Sequence, residues 1–186
     1  MSTKNSEEKI TLYIVREHKS SSAFGTVVPR KGVSETDVSI KFMLDCVAEL
    51  GFANSTIYLN NDQEPAIKAV MQGVIARRAA PTLLEESPVG SSQSNGPAES
   101  AVSIIGDGIR KLRIAIENRY AITLPVNSDI TTWLVLHAGF VHNRFQVGHD
   151  GKTPHSRIRG RPFNKELCEF AQLVHYKIPK RIIGPD

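Results

Sequence analysis

The chain has 186 residues and a mass of 20.5 kDa, the usual size of one domain, and 40% of it is hydrophobic, enough for a core. No apolar run approaches the roughly 18 residues of a membrane span, the polar first nine residues hold no apolar segment that could serve as a signal peptide, and Cys46 and Cys168 stand apart without a CxxC pair, so a signal peptide, membrane insertion, disulfides and structural zinc are not expected. The net charge of +4 is unevenly spread: residues 1–109 carry ten Lys or Arg against thirteen Asp or Glu, and residues 110–186 carry thirteen against six. A basic half joined to an acidic half points to a polyanionic partner such as nucleic acid, the plain alternative being a solvated surface. The expected protein is soluble and intracellular, has no membrane partner, and is compatible with the nucleus.

In chain order, residues 9–15 and 23–28 are β-branched and aromatic runs separated by a polar turn, which predicts a hairpin. Within the turn, Glu17 is expected to have a structural role, and its neighbours Arg16, His18 and Lys19 read as solvated turn residues. Ser34 to Asp37 has capping-box spacing, and Ile40, Met43, Leu44, Val47 and Leu50 follow at helical intervals until Gly51. Residues 55–60 form a short strand that delivers Asp62 at its carboxyl end. Pro65 then opens a helix with an Ile67, Val70, Met71, Val74, Ile75 stripe.

Residues 82–86 predict a further strand, followed by a Ser/Gly-rich loop at 87–96. Pro97 is expected to start a long helix on which Val102, Ile105, Ile109, Leu112 and Ile116 form the apolar face. Another helix begins near Ser128 or Asp129, with Trp133 in the core and His137 and His142 as core or hydrogen-bonded histidines. Turn chemistry at 148–154 precedes Arg157, Arg159 and Arg161, the best candidates for phosphate contact against a plain solvated loop. Residues 173–178 predict a last strand. The order of elements is that of an α/β domain with a mixed sheet and helices packed on it.

Two carboxylates stand out. A carboxylate at a strand end and another in the first turn of a neighbouring helix can converge on hard divalent cations such as Mg2+ or Mn2+, the arrangement used to cut or join phosphodiesters. Asp62 and Glu99 have those placements, although singly Asp62 also suits a turn and Glu99 also suits a helix dipole. Only their combination favours a metal site.

The segment from Tyr58 to Ala66, followed by Ser87-Pro88, Ser92 to Gly96 and Glu99, resembles the catalytic core of retroviral and retrotransposon integrases, with its ribonuclease H-like fold and Asp, Asp, Glu signature. Thirty-six residues separate positions 62 and 99, close to the family's interval between its second and third carboxylates. Leu134 to Ala138, Asn143-Arg144-Phe145, Asp150 to Pro154 and Gly160-Arg161-Pro162 extend the likeness over residues 10–163. This divides the chain into a tail (1–9), the core-like domain and an extension (164–186).

The resemblance implies Asp62 and Glu99 as ligands of Mg2+ or Mn2+, Gln93 and Asn95 near a DNA end, DNA as partner, and a homo-oligomer in the intact parent. Ser103 and Gly106 stand where family members often carry lysines on the helix after Glu99. The family's first strand, central in its sheet and bearing the first Asp, has no counterpart here. The expectation is therefore an N-terminally incomplete domain for DNA integration, with impaired or absent metal-dependent cleavage and strand transfer. Two alternatives are a non-catalytic nucleic-acid-binding or dimerisation module and a ribonuclease H-like hydrolase.

Overall fold

The computed structural model describes residues 9–61, 64–86 and 92–176, which form four strands and five helices. Strands β1 (Thr11–Arg16) and β2 (Ala23–Val28) pair antiparallel, from Thr11 opposite Val28 to Arg16 opposite Ala23. Because side chains alternate along a strand, Tyr13, Val15, Phe24 and Val28 face one helical layer, while Leu12, Ile14, Ala23 and Val27 face the other. Glu17 closes the turn: its carboxylate accepts from the backbone N–H of Lys19 (3.0 Å) and Ser20 (2.6 Å) and from the Ser20 hydroxyl. Burial pushes this carboxyl up, but those hydrogen bonds outweigh it and hold it below the usual range.

Helix α1 (Val38–Glu49) starts later than the capping-box spacing predicts. Asp37 occupies the N-cap position in a left-handed conformation and caps nothing, because its carboxylate is drawn to Arg77 at 2.5 Å. Strand β3 (Ile57–Asn61), helix α2 (Pro65–Arg77) and strand β4 (Thr82–Glu86) form a right-sized parallel crossover, Ile57 opposite Thr82 and Asn61 opposite Glu86. Arg78 locks this unit, donating to the Phe52 and Ser55 carbonyls at 2.8 Å and to Thr82 Oγ1 at 2.5 Å.

The described strands make two separate pairs, β1 with β2 and β3 with β4. One cluster nevertheless spans both: Tyr13 and Val28 from the hairpin and Leu59 from β3 pack with Ile40 and Met43 of α1 and Val70, Met71 and Val74 of α2.

On the hairpin's other face lie α3 (Ser92–Tyr120) and α4 (Ile130–Phe145). Helix α3 begins at Ser92, with Pro97 inside it, rather than at Pro97. Pro97 lies past the first turn, so it removes one i→i−4 hydrogen bond of the helix. The buried stripe also differs from the expected one. Val102 is 56% exposed and Ala101 is buried, whereas Ile105 and Ile116 are buried as expected. Small residues set the contact, since a Cβ on Gly108 would lie 2.8 Å from Ala138 Cβ. Trp133 is likewise 65% exposed rather than in the core; Leu134, Val135 and Ala138 fill that place. Close approach to β2 favours small residues on the buried side of α4, and the large indole faces out.

Helix α5 (Pro154–Arg159) is capped by Thr153, whose Oγ1 accepts from Ser156 N at 3.1 Å, and packs on α4. The chain beyond it lies along α3 and α4: Phe163 meets Phe140, Phe145 and His155, Phe170 packs at a tilt on His137, and Tyr120 donates to the Ala171 carbonyl at 2.6 Å. Residues 173–176 form no strand, and Leu173 is 85% exposed. The remainder of that expected strand lies outside the described residues. Cys46 and Cys168 are both free.

Candidate metal and nucleic-acid site

Parallel strands present their carboxyl ends at one edge of a sheet, the usual location of ligand sites in α/β folds. In the β3–β4 pair, Asn61 stands opposite Glu86 at that edge. The chain leaves it on one side towards position 62 and on the other towards α3. Asp62 itself lies outside the described residues, as do the side chains of Gln93 and Asn95, whose backbone forms the first turn of α3.

Glu99 is exposed on α3. It sits in the second turn, not in the first as expected, because the helix starts at Ser92. Buried Ala101 and Ile105 fix the helix against the hairpin and leave Glu99, Val102 and Ser103 on the open side. A Cβ on Gly106 would meet nothing within 4 Å, so this face is sterically open and carries little charge before Arg110.

Among the described residues no group of three or more His, Cys, Asp or Glu is placed to hold a metal ion. Magnesium demands near-octahedral oxygen coordination, which needs several donors around Glu99. The described residues do not complete a magnesium site.

The three arginines separate into different roles. Arg157 grips Asp150 through Nε (3.0 Å) and Nη2 (2.5 Å) and donates from Nη1 to the Ser20 carbonyl at 2.8 Å. The side-chain hydrogen bond from Arg157 holds the Asp150 carboxyl at about 2. Arg159 donates to the Glu49 carbonyl at 2.7 Å, tying α5 to α1, and Arg161 is exposed just past α5. No hydrogen bond or ion pair among the described residues connects any of them with Glu99.

Two further residues have roles the sequence did not assign. Arg16 is partly buried, not a solvated turn residue, and its Nη1 has no hydrogen-bond partner among the described residues. Asn143 is buried and its Oδ1 accepts from Ala23 N at 2.8 Å, joining α4 to β2. Its sequence signals were its place in the Asn143-Arg144-Phe145 segment and a polar residue on an apolar helix.

No protein-family model and no curated protein matches the sequence. Solved structures do match its fold. In the cryoEM structure of the simian T-cell lymphotropic virus intasome in complex with PP2A regulatory subunit B56 gamma, the match has a TM-score of 0.58 at 19% identity. It covers 90% of this chain and 54% of that one, so the chain spans about half that length. The catalytic core domain of BIV integrase gives 0.53 at 16% identity, over 82% of this chain and 87% of the core.

The chain has the retroviral integrase catalytic-core fold.

A third structure agrees: the HTLV-2 integrase catalytic core domain, in complex with magnesium and in a dimeric form, gives 0.52 at 19% identity over 83% and 86%. The integrase-core fold accounts for the mixed α/β architecture and for helices on both sides of the hairpin. Identities this low establish architecture, not the role of any residue.

Proposed function

We propose that the chain is an integrase-like domain that binds DNA and serves DNA integration, with Asp62 and Glu99 as remaining carboxylates of a Mg2+ or Mn2+ site and with impaired or absent phosphodiester chemistry. The observation that carries this reading is the parallel β3–β4 pair, whose common edge sends the chain towards position 62 and towards α3 within an integrase-core fold. When bound, such a metal supplies Lewis-acid polarisation of a phosphoryl oxygen. The chain's own part is to hold Glu99 on a helix anchored by Ala101 and Ile105, since a site built on a rigid element keeps its geometry. Gln93, Asn95 and the arginines around α5 are the proposed DNA contacts.

Manganese-dependent nicking and strand joining on a short duplex test the catalytic half of the reading. Activity is expected near background, with any remainder lost in Asp62→Ala or Glu99→Ala. Robust turnover that survives both substitutions contradicts it.

A second reading, a non-catalytic nucleic-acid-binding or dimerisation module, draws on the exposed Trp133 and Leu136 of α4, which leave an apolar face uncovered. DNA binding unchanged in the Asp62→Ala, Glu99→Ala double variant favours this module.

A further inference from the structure

A cleft of about 380 Å³ opens where the end of β1, the hairpin turn, the carboxyl end of α4 and the loop before α5 meet. Its walls include Arg16, His142, Gln146, His149 and Arg157. None of its residues belongs to β3, β4 or α3, so it is separate from the edge that carries the candidate carboxylates. It is many times larger than the ~30 Å³ share of one water.

The charges around it do not balance. The carboxylate of Asp150, also in the wall, is taken up by Arg157, and Glu17 is taken up by the backbone of its own turn. Arg16 is left with a buried Nη1 that has no hydrogen-bond partner among the described residues. Two more buried donors without partners, Asn143 Nδ2 and Arg144 Nε, line the smaller neighbouring cavity. All three orphaned atoms are N–H donors. Buried polar groups are normally satisfied, so what this region lacks is acceptor oxygen.

A guanidinium with a free edge, a second guanidinium beside it, and amide and imidazole groups on other sides suit a tetrahedral oxyanion better than a planar one. The negative end of α4 opposes an anion here and Arg157 is already paired with Asp150, so the attraction has to come from Arg16. We propose that this cleft binds a phosphoryl group, either free phosphate or a backbone phosphodiester of nucleic acid, with Arg16 as the principal contact.

Thermal unfolding of the full chain at constant ionic strength tests this, with inorganic phosphate, acetate and a short DNA duplex as separate probes. A ligand that binds only the folded state raises Tm with concentration. Phosphate is expected to raise Tm to a plateau while acetate does not, and Arg16→Gln is expected to abolish the rise. In phosphate-free buffer that variant is expected to melt no lower than the parent, because it removes an unpaired buried charge.

A rise with inorganic phosphate identifies free phosphate as a sufficient ligand. A rise with duplex alone, lost in Arg16→Gln, identifies a backbone phosphodiester. No rise with either probe, or a rise retained in Arg16→Gln, overturns the proposal. Should Arg16→Gln not fold, His149→Ala in the exposed loop carries the test: a diminished rise supports the site, and an unchanged one overturns it.

Discussion

Asn143 of α4 reaches across the fold to Ala23 at the start of β2, its side-chain oxygen accepting the backbone N–H at 2.8 Å in a buried bond between residues 120 apart in sequence. Asn143→Ala leaves that N–H without a partner and is expected to cost about 1–3 kcal/mol. The midpoint of urea unfolding measures the loss. A change of a few tenths would mean that the bond contributes little.

The contact between α3 and α4 depends on the absence of a side chain at Gly108, where a Cβ would lie 2.8 Å from Ala138 Cβ. Gly108→Ala raises intrinsic helix propensity by up to about 1 kcal/mol, yet the helices must part to admit it. A net destabilisation of about 1–3 kcal/mol is expected from overpacking. A stabilised variant would show that the two helices separate freely.

Stability is expected to fall with acidification in two separate windows. Burial lowers His142 below its free value of 6.5, against the Ser21 carbonyl and with Arg16 and Arg157 adding to the lowering; burial lowers His137 and His155 as well. The unfolded chain therefore binds these protons first, and the contribution is complete above about 6.5 and declines as pH falls through and below that value. Asp150 is held at about 2, against an ordinary 3.8, so its contribution is complete above the ordinary value and disappears as pH falls through about 2. Tm against pH should show both slopes, with Asp150→Asn removing part of the lower one. A flat profile from neutrality down to about pH 5 would remove the histidine argument.

Trp133, 65% exposed, and Leu136, 37% exposed, leave an apolar patch on α4 that a second copy can cover. Sedimentation at several concentrations is expected to reveal self-association that Trp133→Glu abolishes. Equal masses for parent and variant would place the interface elsewhere or remove it.

The elements legible in the sequence are those decided by local chemistry. The hairpin followed from two β-branched runs around a polar turn, and α2 followed from Pro65 and an apolar stripe. What escaped depends on distant partners. Asp37 resembles a cap until Arg77, forty residues away, takes its carboxylate. Trp133 suggests core by size, but close packing of α4 on β2 favours small residues on the buried side. Arg157 and Arg159 look alike as free cations, yet their guanidinia are directed to Asp150, Ser20 and Glu49. At the candidate site the strand before Asp62, the proline-started helix and the strand at 82–86 were readable, but the parallel pairing of β3 with β4 came only with the structure. The exact setting of Glu99 was not readable either, since Pro97 signals a helix start and α3 begins earlier.

The central claim, that this integrase-core fold engages DNA through its backbone, is tested most directly by equilibrium binding to a short duplex as salt rises from about 50 to about 200 mM. Binding that weakens linearly on a log–log plot, with a slope made shallower by neutralising Arg161, is the result the account predicts. Absence of binding even at the lowest salt, or binding indifferent to salt, would contradict it.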